Sequence, residues 1–317
     1  MELVIWRDVT VLLSLWQCIE DLVAAKEWTY AGTAGQSEWP VLFSDCGGSS
    51  QSPINVDTSK TVYDPSLPRI RLLGYEQYGH VPFTLSNNGH TVVMLLPSWM
   101  GLSGLPWQFS AVQLHLHWGN GVGVATGSEH SIDEQSASAE EGEKNNKAYA
   151  NIFNYLNRIR YLGQKVLIPA FDVGTLLPRD LNQYFRYSGS LTTPPCHQSV
   201  LWTVFVETVK ISHSQLMKLE TVLYSSRPGS NPKPLQDNYR TTQPLNNRTV
   251  LSSFIPVSAY IYTSGEISAI VLGCLCGCVG LAAIVFFIIR KIQTKDTARD
   301  MALRMTSHHG KNEETTP

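Results

Sequence analysis

Short apolar or alternating runs recur along most of the chain, and clusters of glycine, proline and asparagine separate them. The clearest runs lie at 83–85, 91–96, 112–118 and 200–206, with breaks at 86–89 and 192–195. Such runs are typical of β-strands, because alternate side chains on a strand face opposite sides. The pattern therefore predicts a mainly β domain, and no repeat or linker divides it in two.

Two stretches have helical spacing instead. Apolar side chains recur every three or four residues at Tyr149, Ile152, Phe153, Leu156 and Ile159, and again at Leu216, Leu219, Val222 and Leu223. Ser212 followed by Gln215 has the form of a capping box, in which side chains satisfy the unpaired amides of a first helical turn. Both stretches predict helices at the periphery of the sheet.

The run 267–289 contains no charged residue and is long enough to cross a bilayer as a helix. Arg290, Lys291 and Lys295 follow it, so the positive-inside bias predicts a single-pass plasma-membrane protein with a cytosolic tail at 290–317. Apolar residues at 9–16 precede a small-residue site at 23–25. They indicate a signal peptide over 1–25, with a buried amphipathic helix as the alternative.

This topology leaves an extracellular domain at 26–256 and a stalk at 257–266. The cysteines of that domain are Cys46 and Cys196, which in an exported protein favour one disulfide over two buried thiols. Asn247 begins an Asn-Arg-Thr sequon on the outer side and is a predicted glycosylation site.

Two further features bear on partners. The formal net charge is -2, with 24 basic and 26 acidic residues, so no basic excess favours nucleic acid. Ala269, Gly273 and Gly277 lie four residues apart on one face of the predicted membrane helix. That spacing suits close helix pairing in a homodimer, although small residues are common in such helices in any case.

The strongest local chemical signal is QLHLHWG at 113–119. On a strand, His115 and His117 face the same side and direct both imidazoles to one point, as two ligands of a metal would. Two ordinary strand histidines are the alternative from these residues alone.

The surrounding motifs favour the metal. QSPIN (51–55), SNNGH (86–90), QLHLHWG, GSEH (127–130), YFRYSGSLTTPPC (184–196) and QSVLWTVF (198–205) follow the order of the α-class carbonic anhydrases. Over about 28–254 the chain resembles that family, most closely its membrane-anchored extracellular type fourteen and type twelve members. The resemblance implies a large, mostly antiparallel central sheet with peripheral helices. It also implies a zinc ion and the reversible hydration of CO2 to bicarbonate and a proton outside the cell.

The resemblance also implies roles for individual residues. His115 and His117 match two zinc ligands, and Gln113 matches the residue that orients the first of them. Thr192 matches the hydroxyl that accepts a hydrogen bond from zinc-bound hydroxide and donates one to Glu129. The remaining implied residues are the proton shuttle His90, the polar pocket residues Tyr30, Asn88 and Thr193, the apolar pocket residues Leu191 and Trp202, and the disulfide Cys46–Cys196.

The resemblance is interrupted after Glu140. Residues 133–145 read DEQSASAEEGEKN, with five acidic and no large apolar side chains, which is unusual inside a compact domain. Glu140 matches the start of the segment that carries the family's third zinc ligand, but 142–144 match a later helix. Two interior strands and the third ligand are therefore expected to be missing. Three possibilities follow: a carbonic anhydrase, an inactive binding or adhesion module of the same fold, and a non-productive splice form.

Overall fold

The computed structural model describes residues 27–76, 79, 81–106, 109–121, 127–136, 141–142, 144–256 and 264–309. The predicted signal peptide at 1–25 and residues 257–263 of the predicted stalk lie outside the described residues. The chain divides into two units, Met1–Pro256 and Val257–Pro317, and each is described by itself.

The described residues of the first unit are mainly β. Their strands are β1 (Asn55–Val56), β2 (Val62–Tyr63), β3 (Arg71–Leu73), β4 (Phe83–Asn87), β5 (Val92–Leu95), β6 (Gly101–Ser103), β7 (Phe109–Ser110), β8 (Gln113–His115), β9 (Ser131–Ile132), β10 (Gln135–Ser136), β11 (Glu141–Gly142), β12 (Lys165–Ile168), β13 (Tyr184–Gly189), β14 (Val200–Phe205), β15 (Ile211–Ser212) and β16 (Leu251–Ser252). Their α-helices are α1 (Trp39–Leu42), α2 (Lys147–Phe153) and α3 (His213–Val222).

Two four-stranded sheets form the centre of this unit. One has the order β12-β4-β5-β8 with every neighbour antiparallel, and the other has the order β14-β13-β16-β2. Smaller sheets, β1-β9-β10, β3-β6-β7 and β11-β15, complete the described strands. The predicted mainly β fold is therefore confirmed, and the central strands among the described residues form two four-stranded halves. The reason is that no strand among the described residues joins β8, at the end of one half, to β14, at the end of the other.

The strands predicted from the alternating pattern are confirmed in position but not always in length. The run 112–118 forms a strand only over β8, so His117 lies two residues beyond its end. The register pairs Val93 with His115 and Leu95 with Gln113 across β5 and β8.

Both predicted helices are present, and one is shorter than its apolar pattern. In α2, Tyr149, Ile152 and Phe153 are buried, and Asn146 caps the first turn by accepting from the amide of Ala148. The helix ends at Phe153, and a 3-10 turn at Leu156–Arg158 continues the buried stripe.

The capping box of α3 is confirmed. The Ser212 hydroxyl accepts from the amide of Gln215, and the Gln215 side chain accepts from the amide of Ser212, each at 3.2 Å. Leu219 of α3 joins Ile152 of α2 and Phe83 and Met94 of the first sheet in the largest buried cluster. Each such side chain stabilises the fold by about 1.5–3 kcal/mol.

The second unit is dominated by one helix, α4 (Ser264–His309). Its segment Ser268–Met301 is long and apolar enough to cross a membrane, with a mean hydropathy of 2.7 in its most apolar window. The helix extends past the predicted membrane boundary at 289, so the predicted tail is helical as far as His309.

Candidate metal centre

The two histidines of the strand motif lie side by side. The ring centroids of His115 and His117 are 5.0 Å apart, with 76° between the ring planes, and both side chains are partly buried. The closeness predicted from their alternate spacing is therefore present, even though the regular strand ends between them.

A main-chain carbonyl holds the ring of His117. Its Nδ1 lies 2.6 Å from the carbonyl oxygen of Asn238, which can only accept, so in a neutral ring Nδ1 carries the hydrogen and Nε2 a lone pair. Nε2 is buried and has no hydrogen-bond partner among the described residues. A fixed imidazole with an unused lone pair is what a metal ligand requires.

Asn238 has a larger role than any sequence motif indicated. Its side-chain oxygen accepts from the amide of Trp118 at 2.8 Å, and its side-chain nitrogen donates to the carbonyls of His90 and Leu116. This fully buried side chain therefore ties the end of β8 to the turn that carries His90. It belongs to none of the recognised motifs.

Glu129 lies next to His117, with its Oε2 at 3.4 Å from His117 Nε2. The preceding Gly127 makes this approach feasible. Its φ is +139°, and a Cβ there would lie 2.9 Å from the Cα of Trp118, so the two segments are in close backbone contact. Glu129 is 3% exposed, and its Oε1 accepts from the amide of Arg240 at 3.0 Å.

Arg240 links this carboxylate to the QSPIN motif and is another residue that sequence reasoning missed. Its guanidinium donates to Gln51 Oε1 at 2.7 Å and to the carbonyls of Ser52 and Cys46 at 2.9 and 3.0 Å. Burial lowers the pKa of Arg240 to about 10, and the charge of Glu129 partly opposes that change. Arg240 therefore stays charged at neutral pH.

Thr192 is buried at 6% exposure in the loop after β13. The hydrogen bond from its hydroxyl to Glu129, which the family resemblance implies, is absent from the contacts among the described residues. Glu129 faces His117 instead. The role of Thr192 thus stays a prediction.

The predicted proton shuttle, His90, stacks on Trp28 with ring centroids 3.8 Å apart and 9° between the planes. Burial lowers the pKa of His90, which favours the neutral ring. Asn88, a predicted pocket residue, is exposed, and its side-chain oxygen accepts from the amides of His90 and Thr91. In this structure Asn88 therefore shapes the turn that carries His90.

The other predicted pocket residues lie on two sides. Tyr30 packs edge-on against Trp39, and burial together with the charge of Glu129 raises its pKa, so its phenol is neutral. Trp202 is 1% exposed, and its indole nitrogen donates to the carbonyl of Ser190 at 2.9 Å. Leu191 packs against the same apolar cluster, and Thr193 is partly buried.

The disulfide between Cys46 and Cys196 is confirmed, with a sequence separation of 150. It fixes the loop that carries Thr192 and Thr193 to the turn at Ser44–Gly47. The amide of Cys196 also donates to the carbonyl of Thr193 at 2.9 Å.

The described residues do not complete a catalytic zinc site. No group of three or more His, Cys, Asp or Glu side chains is placed to hold a metal in the part of the chain that the structure describes. Gln113, the predicted orienting residue, is exposed at the start of β8, and Glu140 lies outside the described residues. Among the described residues, two imidazoles are therefore in place without a third ligand.

Known proteins provide an independent comparison. A model of the family described as eukaryotic-type carbonic anhydrase matches residues 34–142 and 139–254. Human carbonic anhydrase 12 is 36% identical over 295 residues, covering 83% of this chain and 83% of the relative. Bovine carbonic anhydrase 6 is 36% identical over 278 residues, covering 77% and 85%, and mouse carbonic anhydrase 15 is 35% identical over 261 residues, covering 69% and 80%.

The aligned lengths also show how many positions of these relatives this chain lacks in total. Because 83% of this 317-residue chain is about 263 residues, about 32 of the 295 positions aligned with the human protein have no counterpart here. The bovine alignment gives about 34 by the same comparison, since 77% of the chain is about 244 of its 278 positions. The two family matches meet at 139–142, where the motif order breaks.

Proposed function

Since the chain belongs to the eukaryotic-type carbonic anhydrase family, we propose that it is a membrane-anchored extracellular member whose own site binds zinc weakly and hydrates CO2 much more slowly than complete relatives do. The observation that carries the proposal is the site itself. His115 and His117 are paired and His117 is oriented for a metal, but no third donor lies with them among the described residues.

The expected weakness follows from coordination chemistry. A catalytic zinc in this family needs three protein ligands and an open fourth position, where the ion makes bound water acidic enough to supply hydroxide near neutral pH. Two imidazoles hold the ion with much lower affinity. The remaining predicted roles belong to Thr192, Glu129, His90 and the pocket residues. Each of these roles in CO2 hydration depends on a bound zinc ion.

Several observations support an exported domain. The Cys46–Cys196 disulfide is typical of oxidising compartments, and Asn247 is exposed in the described structure. Basic residues follow the apolar part of α4, which favours a cytosolic C-terminus. We accordingly assign a signal peptide to 1–25, the outer domain to 26–256, a stalk to 257–266, the membrane helix to 267–289 and a cytosolic tail to 290–317.

Zinc content and turnover, measured together on the full chain in detergent, test the proposal. We expect well under one zinc per chain by elemental analysis and a CO2 hydration rate close to the buffer background. Human carbonic anhydrase 12, prepared identically, is the positive control. One tightly held zinc per chain with fast, sulfonamide-sensitive hydration would contradict the proposal.

Glycosylation tests the orientation separately. If the domain lies outside the cell, the wild-type chain expressed in cells carries a glycan at Asn247, and glycosidase treatment lowers its mass. The Asn247→Gln chain should lack this extra mass. An unshifted wild-type chain, with the domain accessible to protease only from the cytosolic side, would contradict the assigned topology.

An inactive binding module of the same fold is the second candidate. The observation that favours it is the combination of an incomplete metal centre with an intact polar network around Arg240. A well-folded chain that lacks hydration activity even at saturating zinc would favour the binding module. A chain degraded soon after synthesis would favour the non-productive form.

A further inference from the structure

The segment that follows the apolar part of α4 concentrates positive charge. Residues 290–304 contain five basic and two acidic residues, a net charge of +3, whereas the formal net charge of the whole chain is -2. The helix does not end with the uncharged run, because α4 continues to His309. These charges are therefore held on a regular helix that directly follows the proposed membrane segment.

Helical geometry places three of the basic residues on one face. Lys291, Lys295 and Arg299 lie four residues apart, and each step of four turns the helix by about 40°, so together they span an arc of about 80°. We call these three residues the basic stripe. Asp296 and Asp300 lie about 100° and 140° from the centre of this arc, so the face of the stripe carries no acidic residue.

The side chains of the basic stripe are available to a partner. All three are exposed in the described structure of α4. The ion pairs found among the described residues involve none of them, although Asp296 and Asp300 are close in sequence. The stripe therefore presents three unshared positive charges along one side of the helix.

The spacing along the helix brings the stripe to the level of lipid headgroups. From the proposed boundary at 289, Lys291, Lys295 and Arg299 lie about 3, 9 and 15 Å further along the axis. Helical side chains lean toward the N-terminus, which here is the direction of the bilayer, and Lys and Arg have long stems. Membrane helices are tilted by about 20° on average, so one face of the tail comes closer to the lipid surface than the others.

We propose that the basic stripe binds the headgroups of anionic phospholipids in the cytosolic leaflet and so selects the lipids around α4. This rests on the proposed function, which assigns the membrane helix to 267–289 and the tail to the cytosol. Charge complementarity carries the proposal, because anionic lipids give that leaflet a negative surface and attract basic residues next to a membrane helix. A lipid is assigned over a soluble anion because the anchored helix keeps the stripe beside the bilayer, where the effective concentration of headgroups is high.

The probe is spin-labelled phosphatidylserine, compared with spin-labelled phosphatidylcholine in phosphatidylcholine bilayers that contain the full-length chain. Electron paramagnetic resonance separates lipid held at the protein from free lipid. We expect the chain to hold phosphatidylserine about fivefold more strongly. The preference should vanish in 1 M salt, where charges are screened beyond about 3 Å. Equal association of the two lipids, or a preference that high salt leaves unchanged, would overturn the proposal.

Three variants separate the stripe from its charge alone. The triple variant Lys291→Gln, Lys295→Gln, Arg299→Gln should lower the preference to near unity, and Lys291→Arg, Lys295→Arg, Arg299→Lys should keep it. Lys295→Thr with Thr297→Lys keeps the composition and net charge but moves one charge about 160° around the helix, so the preference should fall. Full preference in the glutamine variant or in the relocated variant would overturn the assignment to this face.

A soluble competitor tests the alternative occupant, an acidic protein segment. A glutamate-rich peptide at micromolar concentration should leave the labelled phosphatidylserine in place, and its complete displacement would overturn the lipid assignment. The outcomes also separate the two proposals. A chain that does not insert into bilayers contradicts the membrane anchor as well as the stripe, whereas an inserted chain with no lipid preference contradicts only the stripe.

Discussion

The loop after β13 and the segment from β8 to His117 both carry residues predicted for the candidate site. They differ in how their described polar groups are hydrogen-bonded. Around the loop, a disulfide joins Cys46 to Cys196, Trp202 donates to Ser190, and the guanidinium of Arg240 makes three hydrogen bonds. In the segment from β8 to His117, Gln113 is exposed and a buried nitrogen of His117 has no hydrogen-bond partner among the described residues.

The difference indicates that the fold and the metal centre depend on separate parts of the family's architecture. The loop and its disulfide, which stabilises by about 2–4 kcal/mol in typical cases, need only residues that this chain retains. A catalytic zinc centre needs three protein ligands, and the described residues bring only His115 and His117 together. A missing block can therefore remove zinc chemistry and leave much of the surrounding framework in place.

The largest effect is expected from restoring the residues that this chain lacks relative to its relatives. If the residues of human carbonic anhydrase 12 that have no counterpart in this chain are inserted as one block after Glu140, we expect about one zinc per chain and a hydration rate higher by orders of magnitude. The reason is that the third ligand and the intervening strands would return together. Zinc analysis and stopped-flow CO2 hydration measure the effect.

The control for this insertion is the same block with its histidines changed to alanine. We expect it to restore cooperative unfolding but not zinc. If the intact block leaves zinc and turnover at the level of the uninserted chain, the defect lies elsewhere in the site.

Arg240 tests whether the hydrogen-bond network near the loop after β13 stabilises the fold. Arg240→Ala leaves the acceptors Gln51, Ser52 and Cys46 buried without their donor, so we expect the free energy of unfolding to fall by about 3 kcal/mol or more. Tryptophan fluorescence during urea unfolding of the full chain in detergent measures the change.

Arg248→Ala is the matched control, because Arg248 also donates to three carbonyls but from a more exposed position. We expect a loss of about 1 kcal/mol or less. Equal losses for the two arginines would mean that the Arg240 network contributes no special stability.

His90 gives a pH-dependent test of intermediate size. Its pKa is lowered by burial, so the unfolded chain binds the proton more readily than the folded one, and the free energy of unfolding falls as the pH drops through the ordinary histidine pKa near 6.5. Trp28→Ala removes the stacked ring and should raise the pKa of His90 toward that value. Histidine NMR titration follows it directly.

Tyr63→Ala serves as the control for this titration, since Tyr63 is 44% exposed and lies on β2, the outer strand of the second sheet. The His90 titration should be unaffected by it. A Trp28→Ala chain whose His90 titrates as in wild type would show that Trp28 contributes little to the burial of this ring.

Local patterns predicted much of this arrangement. The alternation at 83–85 and 91–96 located β4 and β5 correctly, and the Ser212–Gln215 capping box marks the start of α3 in the structure. His115 and His117 could be paired from their spacing because strand geometry is local. The interruption after Glu140 was also visible, since a polar, acidic stretch replaced an apolar strand pattern.

Other features could not be found in this way because they depend on contacts between distant segments. Asn238 holds His117 across 121 positions through a main-chain carbonyl, which no side-chain pattern reports. Arg240 reaches Gln51 across 189 positions from a stretch without a motif. The pairing order of the strands also depends on contacts between distant segments, and the alternation of apolar residues does not report it.

The smallest expected effect concerns the membrane helix. A Cβ added to Gly273 or Gly277 would meet no atom within 4 Å, so Gly273→Ile with Gly277→Ile should leave α4 intact while separating two helices that pack through this face. We expect a loss of about 1 kcal/mol in dimer stability. Ala282→Ile, on the opposite face, is the control and should leave crosslinking in membranes unchanged. Equal crosslinking of the wild type, the double variant and Ala282→Ile would show that this face mediates no dimer.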